Sequence, residues 1–327
     1  MVDLSDCPSV SSRPRPLPIV LCFVIGVVAL VAGLLIGLHP GAALPASAAT
    51  SRPTGTGVST LPLAGAPAQS PSGAPTAAPT QRSTDDLQAE VSELLSSDGA
   101  EGGVSLIELG GDRPVTWSLN GDEQFVAAST YKLPILMKDA QDIAARRAGP
   151  SDQLCYEEGD WEDGYFSDYQ PGSCYTRAEL DQRVGQYSDN TAAHILVRYD
   201  GGTDAINSYA RAHGATESTF YDPNLTTSAD LARLWQNEAE GRAGGAAAQA
   251  YIYPLLTNTA NEDGIPAGVP AGTPVVHKFG DLDGELNDAA LVEQGPRGAY
   301  VLAVCTDGGS WTLIASVARA VADFEAA

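Results

Sequence analysis

The sequence of 327 residues predicts an α+β fold: an antiparallel sheet built from both ends of a folded region, flanked by helices and carrying an inserted all-helical subdomain. Two strand-like runs, GVSLIEL and PVTWSL, flank Gly110-Gly111-Asp112 and are typical of an antiparallel hairpin. Three further strand-like runs lie near residues 274–279, 286–293 and 299–305. From about residue 129 to 260, apolar residues instead recur at helical spacing. Strands at both ends of a helical stretch favour one sheet formed by the two ends.

The folded region is predicted to span residues 83–327. Ser83-Thr84-Asp85-Asp86 precedes apolar residues at helical spacing, which predicts a capped first helix. Residues 311–326 predict a closing strand or helix. A sheet beside a helical subdomain leaves a crevice between them, which is the usual place for a small-molecule site.

Residues 18–38 form an uncharged apolar run that is long enough to cross a bilayer as a helix. Arg13 and Arg15 precede the run, which predicts that residues 1–17 are cytoplasmic and that the rest is extracytoplasmic. A cleaved signal peptide is the alternative, because Ala46-Ser47-Ala48 offers a small-residue cleavage pattern. The length of the run favours a retained membrane anchor. In both cases the folded domain lies beyond the membrane, either anchored or secreted.

Residues 39–82 are rich in Pro, Ala, Ser, Thr and Gly and predict a disordered linker, since they cannot bury enough apolar surface to fold. The net charge of the chain is −23, so nucleic acid is not an expected partner. The four histidines, at His39, His194, His213 and His277, lack the spacing of metal ligands, and we expect no metal or other cofactor.

Three of the five cysteines lie in the folded region. Cys305 belongs to the apolar run AYVLAVC and is predicted to be a buried free thiol. Cys155 and Cys174 can then pair, because an extracytoplasmic compartment is oxidising.

Lysine is scarce, which directs attention to Lys132. Ser129-Thr130-Tyr131-Lys132 opens a predicted helix, so the hydroxyl of Ser129 and the amine lie one turn apart on one face. A serine hydroxyl is a poor nucleophile until a base takes its proton, and a lysine whose pKa is lowered can be that base. S-x-x-K alone is also compatible with an exposed helix lysine.

Two further motifs follow in the chain. Ser188-Asp189-Asn190 lies between two helical segments, where on its own it indicates a helix cap. His277-Lys278-Phe279-Gly280 ends a predicted strand, where on its own it indicates an edge lysine and a turn glycine. In this order the three motifs resemble the S-x-x-K, S-D-N and K-T-G set of class A β-lactamases and penicillin-binding proteins. The order of predicted elements extends the resemblance over residues 84–327.

The resemblance implies a serine hydrolase in which Ser129 attacks an amide or lactam carbonyl and becomes acylated. Lys132 would take the proton of Ser129, and Ser188 would relay a proton to the leaving nitrogen. Asp189 would be structural, and His277 would pack rather than catalyse.

The resemblance also implies a set of substrate-binding residues. Asn190 would hold the side-chain amide of the substrate, and Lys278 would bind its carboxylate and help to keep Lys132 neutral. Gly280 would allow a close approach of the strand, and the backbone N–H groups of Ser129 and Asp281 would form an oxyanion hole.

The sequence departs from the family at two positions. Asp222 falls where class A β-lactamases have the glutamate that activates the deacylating water, in a loop that looks shortened. Phe279 replaces a small hydroxyl residue, which removes a hydrogen bond to the substrate carboxylate and narrows the site. Both departures predict slow or altered deacylation.

Three functions therefore remain open from the sequence. The first is a β-lactamase-like hydrolase that acts on β-lactams, and the second is a D,D-peptidase or transpeptidase that acts on peptidoglycan-derived peptides. The third is a non-catalytic penicillin-binding or sensing module. The acidic, aromatic segment between Cys155 and Cys174, termed the insert below, is either a plain surface loop or a rim that selects substrate.

Overall fold

The computed structural model describes residues 82–327. The segments predicted at residues 1–17 and 18–38, and all of the predicted linker except its last residue, lie outside this range. Within the range, no helix is both long and apolar enough to cross a bilayer.

The described residues alternate short strands and helices. The helices are α1 (Thr84–Asp98), α2 (Lys132–Ala144), α3 (Arg177–Tyr187), α4 (Asn190–Tyr199), α5 (Thr203–Ala212), α6 (Ser228–Ala239), α7 (Gly245–Ile252), α8 (Ile265–Gly268) and α9 (Trp311–Ala326). The strands are β1 (Glu101–Glu108), β2 (Thr116–Leu119), β3 (Phe125–Val126), β4 (Gln153–Cys155), β5 (Cys174–Thr176), β6 (Leu225–Thr226), β7 (Val275–Leu282), β8 (Glu285–Gly295) and β9 (Gly298–Asp307). The closing segment is thus a helix, which decides between the two predicted alternatives.

One antiparallel sheet of five strands has the order β2-β1-β9-β8-β7. The predicted hairpin is β1–β2, and the three late strands are β7, β8 and β9. Strand β1 from the start of the domain pairs with β9 from its end, with Gly103 opposite Cys305. The predicted α+β fold, with a sheet built from both ends of the domain, is confirmed. Strand β7, which holds the third motif, lies at one edge.

Alternate residues of the sheet face two separate cores. On β9, Leu302 and Val304 pack in the core that contains α1 and α9, whereas Val301 and Ala303 face the helical subdomain. Cys305 is fully buried and unpaired, as predicted. Because both faces are covered, the sheet is a rigid support for the helical subdomain.

The helical subdomain is fixed to the sheet by polar as well as apolar contacts. Trp235 of α6 is fully buried and donates its indole N–H to the carbonyl of Ala289 on β8 at 2.9 Å. The predicted disulfide is present: Cys155 of β4 and Cys174 of β5 are bonded and close the insert at its base.

A buried charge cluster joins α2, α3 and the end of α4. Arg177 of α3 contacts Asp139 of α2 and, at 2.9 Å, Asp200. Asp181 accepts a hydrogen bond from the Tyr251 hydroxyl at 2.5 Å. One guanidinium thus faces three carboxyl groups that are almost without solvent. Burial raises the pKa of Asp139 well above its ordinary value, that of Asp181 to about 6 and that of Asp200 to about 8.

We expect this cluster to make the folded domain less stable as the pH rises. A carboxyl group whose folded pKa is raised binds its proton more tightly in the folded chain, so its stabilisation is complete below the unfolded pKa. For Asp200 that stabilisation is lost between pH 3.8 and about 8. Urea unfolding followed by tryptophan fluorescence should show a fall on the order of 6 kcal/mol across this range. Asp200→Asn should flatten the fall, and Asp204→Asn, at an exposed position, should not. Equal pH dependence in all three proteins would contradict the assignment.

Candidate active site

Ser129 lies in a short 3-10 helix, Ala128–Tyr131, that leads directly into α2. The residue before it, Ala128, has a φ of 45°, in the left-handed region that residues with a Cβ rarely adopt. The Ser129 side chain is partly exposed, while the residues on both sides of it are buried. The chain therefore presents the hydroxyl of Ser129 from a strained, well-packed turn.

Lys132 is fully buried and its amine contacts several oxygens. Nζ lies 2.9 Å from Oγ of Ser129, 2.6 Å from the carbonyl oxygen of Ser188 and 2.5 Å from Oδ1 of Asn190. Burial lowers the pKa of Lys132 to about 7, against the opposing charges of Glu162 and Asp189. A large fraction of the amine is thus neutral near neutral pH, which suits it to accept a proton from Ser129.

Ser188 connects the two buried lysines. It caps the end of α3 with a φ of 58°, and its Oγ lies 3.3 Å from Nζ of Lys132 and 3.0 Å from Nζ of Lys278. Burial, followed by the charge of Lys132, lowers the pKa of Lys278 well below its ordinary value. Burial is also the largest cause of the low pKa of Lys132. The further help of Lys278 in keeping Lys132 neutral stays a prediction.

Strand β7 lies directly against the Ser129 turn. A Cβ built on Gly280 would stand 2.9 Å from the backbone nitrogen of Ser129 and 3.0 Å from that of Thr130, so only glycine fits. Asn287 of the neighbouring β8 reinforces the contact by donating to the carbonyls of Val126 and Ala127. The close approach brings the segment that continues to Asp281 beside the backbone N–H of Ser129.

Phe279 covers the buried lysine of β7. Its ring centroid is 4.0 Å from Nζ of Lys278, and its carbonyl accepts a hydrogen bond from the same nitrogen at 2.7 Å. The half-buried ring also meets Trp311 edge to face. Lys278 is fully buried beside this ring.

The insert packs against the Ser188-Asp189-Asn190 motif. Asp189 is buried and caps α4, and it also accepts hydrogen bonds from the backbone N–H of Phe166 and the hydroxyl of Tyr169. The side-chain amide of Asn190 donates to the carbonyl of Asp163 at 2.7 Å. The side chain of Asp189 thus holds the start of α4 and the insert together. The insert borders the site.

The structure does not bring Asp222 into the network that joins Ser129 to Lys278. Asp222 is exposed, and β6 and α6 follow it within a few residues, so the loop is short. Its neighbour Tyr221 instead faces the site, with its ring 5.7 Å from that of Tyr131.

His277 is a buried residue, as expected, but it contacts two carboxylates in addition to packing against its neighbours. It is fully buried, with Nδ1 2.9 Å from Asp288 and Nε2 3.2 Å from Glu262. Burial lowers the pKa of His277, but the charges of Asp288 and Glu262 outweigh this and raise it to about 9. The imidazolium on β7 is thus a buried charge with a structural role, and it is not a base for the site.

Sequence reasoning missed Glu162 and His194. Glu162 lies in the insert, and its Oε2 is 2.8 Å from Nε2 of His194 on α4. His194 follows Asn190 by four residues, a helical spacing that could have placed it on the site face of α4. Nothing in the sequence pattern pairs it with Glu162, because the path of the insert is set by tertiary contacts.

These features together define an active-serine acyl-transfer hydrolase: a serine on a helix start, a buried lysine beside it, and a second serine and lysine across the crevice. The chain matches the model of the β-lactamase enzyme family over residues 86–324 and belongs to that family. It is 29% identical over 238 residues to "Beta-lactamase CTX-M-8" of Citrobacter amalonaticus, covering 66% of this chain and 79% of that protein.

Solved structures with a similar fold support the assignment to this family. One described as "Structure of PBP-A" has a TM-score of 0.69 at 25% identity and covers 75% of this chain and 97% of that chain. A β-lactamase from Sphaerobacter thermophilus shares the fold with a TM-score of 0.66 at 24% identity, covering 74% of this chain and 97% of its own.

Gly280→Ala should separate β7 from the Ser129 turn, because the new Cβ would overlap the backbone nitrogen of Ser129. We expect acylation of Ser129 to slow by about 100-fold, the scale of a small misplacement of reacting groups. Gly110→Ala, whose Cβ meets only ordinary contacts, is the matched control. The measurement is the rate of covalent labelling by a β-lactam, with circular dichroism to check the fold. Unchanged labelling of Gly280→Ala would contradict the assigned contact.

Proposed function

We propose that this protein is a β-lactamase-like serine hydrolase that forms an acyl-enzyme on Ser129 with a β-lactam or a related amide. The single observation that carries the proposal is the continuous contact from Ser129 Oγ through Lys132 and Ser188 to Lys278, with the Lys132 amine buried and its pKa lowered to about 7. Surface lysines do not have such surroundings.

Acylation follows from these contacts. The neutral Lys132 amine accepts the proton of Ser129 Oγ as this oxygen attacks the carbonyl carbon of the substrate. The hydroxyl of Ser188 gives its proton to the leaving nitrogen as the amide bond breaks, and the Lys132 ammonium returns a proton to Ser188. The sum leaves an ester on Ser129, a leaving nitrogen that has gained one hydrogen as a neutral amine, and a neutral lysine.

The substrate would lie between β7 and the start of α4. The backbone N–H groups of Ser129 and Asp281 would bind the oxyanion, which the close approach at Gly280 favours. Asn190 would bind the acyl side-chain amide, and Lys278 with Phe279 would form the far wall. The large ring of Phe279 favours substrates that place an apolar surface, and not only a carboxylate, at this wall.

A D,D-peptidase or transpeptidase that acts on peptidoglycan-derived peptides is the second candidate. The observation that favours it is the exposed position of Asp222 on a short loop, which offers no evident base for rapid release of the acyl group. One similar structure, with a TM-score of 0.68, is described as an acyl-enzyme complex of a PBP-A mutant with penicillin G. The two candidates share acylation and differ in what removes the acyl group.

We place the domain outside the cytoplasm, held at the membrane by residues 18–38 or secreted after their removal. The Cys155–Cys174 disulfide supports an oxidising compartment. Residues 39–82 would then connect the membrane to the hydrolase domain of residues 83–327.

Intact mass spectrometry of the protein after exposure to penicillin G tests the function directly. Wild type should gain the mass of the drug or release hydrolysed drug, and Ser129→Ala should do neither, because it lacks the nucleophilic oxygen. A lasting adduct would favour the peptidase, and rapid turnover would favour the β-lactamase. An equal adduct on Ser129→Ala would exclude Ser129 as the nucleophile.

The rate of acylation should rise with pH through about 7 and then level off, because the Lys132 amine must be neutral to take the proton. Single-turnover labelling between about pH 5 and about pH 9 measures this profile. Lys132→Arg carries a permanent positive charge and cannot act as a base, so it should lower the plateau by about 1,000-fold. A flat profile in wild type would count against Lys132 as the base.

A further inference from the structure

Glu162 is held beside the catalytic network by its own backbone. Its N–H donates to Oγ1 of Thr191 at 3.0 Å, and its carbonyl accepts from the same hydroxyl at 2.8 Å. The backbone carbonyl of the next residue, Asp163, accepts a hydrogen bond from the side-chain N–H of Asn190. The side-chain oxygen of Asn190, Oδ1, accepts one from Lys132. Glu162 is therefore separated from the Lys132 amine by one residue of the insert and one side chain of α4.

The Glu162 carboxylate is oriented by His194. Nε2 of His194 lies 2.8 Å from Oε2, and a carboxylate only accepts, so this nitrogen donates its proton. The His194 ring packs on Tyr221 at 5.1 Å, and Tyr221 meets Tyr131, whose ring lies 5.3 Å from Nζ of Lys132. The rings fix the imidazole, and the imidazole fixes one carboxylate oxygen.

Electrostatics agree with this placement. Burial lowers the pKa of Lys132, and the largest effect that raises this pKa is the negative charge of Glu162. Burial also lowers the pKa of His194, with Glu162 and Lys132 acting on it in opposite directions. The Glu162 side chain is half exposed to solvent.

We propose that Glu162, positioned by His194, is the general base that activates the water for removal of the acyl group from Ser129. This role rests on the proposed function, since it requires an acyl-enzyme. It places the deacylating carboxylate on the disulfide-closed insert instead of at Asp222, which is exposed and outside the network. The insert is then part of the catalytic machinery as well as the rim of the crevice.

The proposed step balances. Glu162 takes a proton from water as the water oxygen bonds to the ester carbonyl carbon, and a tetrahedral intermediate forms. The bond from that carbon to Ser129 Oγ then breaks and frees the acyl group as a carboxylic acid. Solvent water carries the proton from the half-exposed Glu162 to the Lys132 amine, which passes a proton to Oγ, 2.9 Å away. Serine, carboxylate and amine are restored.

The test separates acylation from deacylation in the full-length protein. Wild type, Glu162→Gln and the control Glu158→Gln, an exposed glutamate of the same insert, are labelled with penicillin G, and the adduct is followed by mass spectrometry. We expect Glu162→Gln to form the adduct at close to the wild-type rate and to lose it about 100-fold more slowly. Glu158→Gln should match wild type in both steps.

His194 is tested as a positioning residue. His194→Ala should slow deacylation at least tenfold with little change in acylation, and His194→Gln, which keeps an N–H donor, should recover much of the loss. A structural role alone would slow both steps together and would not be rescued by glutamine.

The other outcomes are also decisive. Equal loss of the adduct in Glu162→Gln and wild type overturns the role of Glu162, as does a parallel slowing of both steps. A wild-type adduct that persists for hours also overturns it, while leaving acylation of Ser129 established. If wild type gives neither adduct nor hydrolysed drug, the proposed function fails, and the role of Glu162 fails with it.

Discussion

The active site depends on the burial of one amine. Lys132 has no solvent contact, yet its nitrogen meets Ser129 just before it and both Ser188 and Asn190 of a distant motif. Desolvation is what makes this lysine a base at neutral pH. It is also costly, because a buried amine must be matched by acceptors or lose its proton. The packing of α2, the cap of α3 and the start of α4 can all be understood as the surroundings that this amine requires.

The insert contributes to those surroundings more than a surface loop would. Its chain returns to Asp189 twice and to Asn190 once, so removing it would leave a buried carboxylate with unmet hydrogen bonds. The disulfide at its base limits the conformations open to the segment when these contacts are absent.

The backbone at the site is strained. Ala128, Ser188 and Tyr221 all have positive φ values, and contacts with the surrounding residues must offset the cost of that strain.

The sequence was sufficient to predict the sheet from both chain ends, the three motifs, the disulfide and the buried thiol, because each has a local signature or a fixed spacing. It left open whether burial or a second cation lowers the Lys132 pKa, and it could not predict how Phe279 packs on Lys278, since both depend on tertiary packing around the Ser129 turn. His194 offered a weak signal through its spacing from Asn190. Glu162 offered none, because a loop without regular structure has no period from which its partners can be inferred.

The two half-reactions place different demands on the fold. Acylation needs groups that share the rigid junction of α2, α3 and β7, where burial and close backbone contact hold them. Deacylation needs a base that can reach a water molecule beside the ester. A half-exposed carboxylate fixed by a neighbouring imidazole and two backbone hydrogen bonds meets that need. The proposed base therefore lies on the insert, beside Asn190, and not on the short loop that holds Asp222.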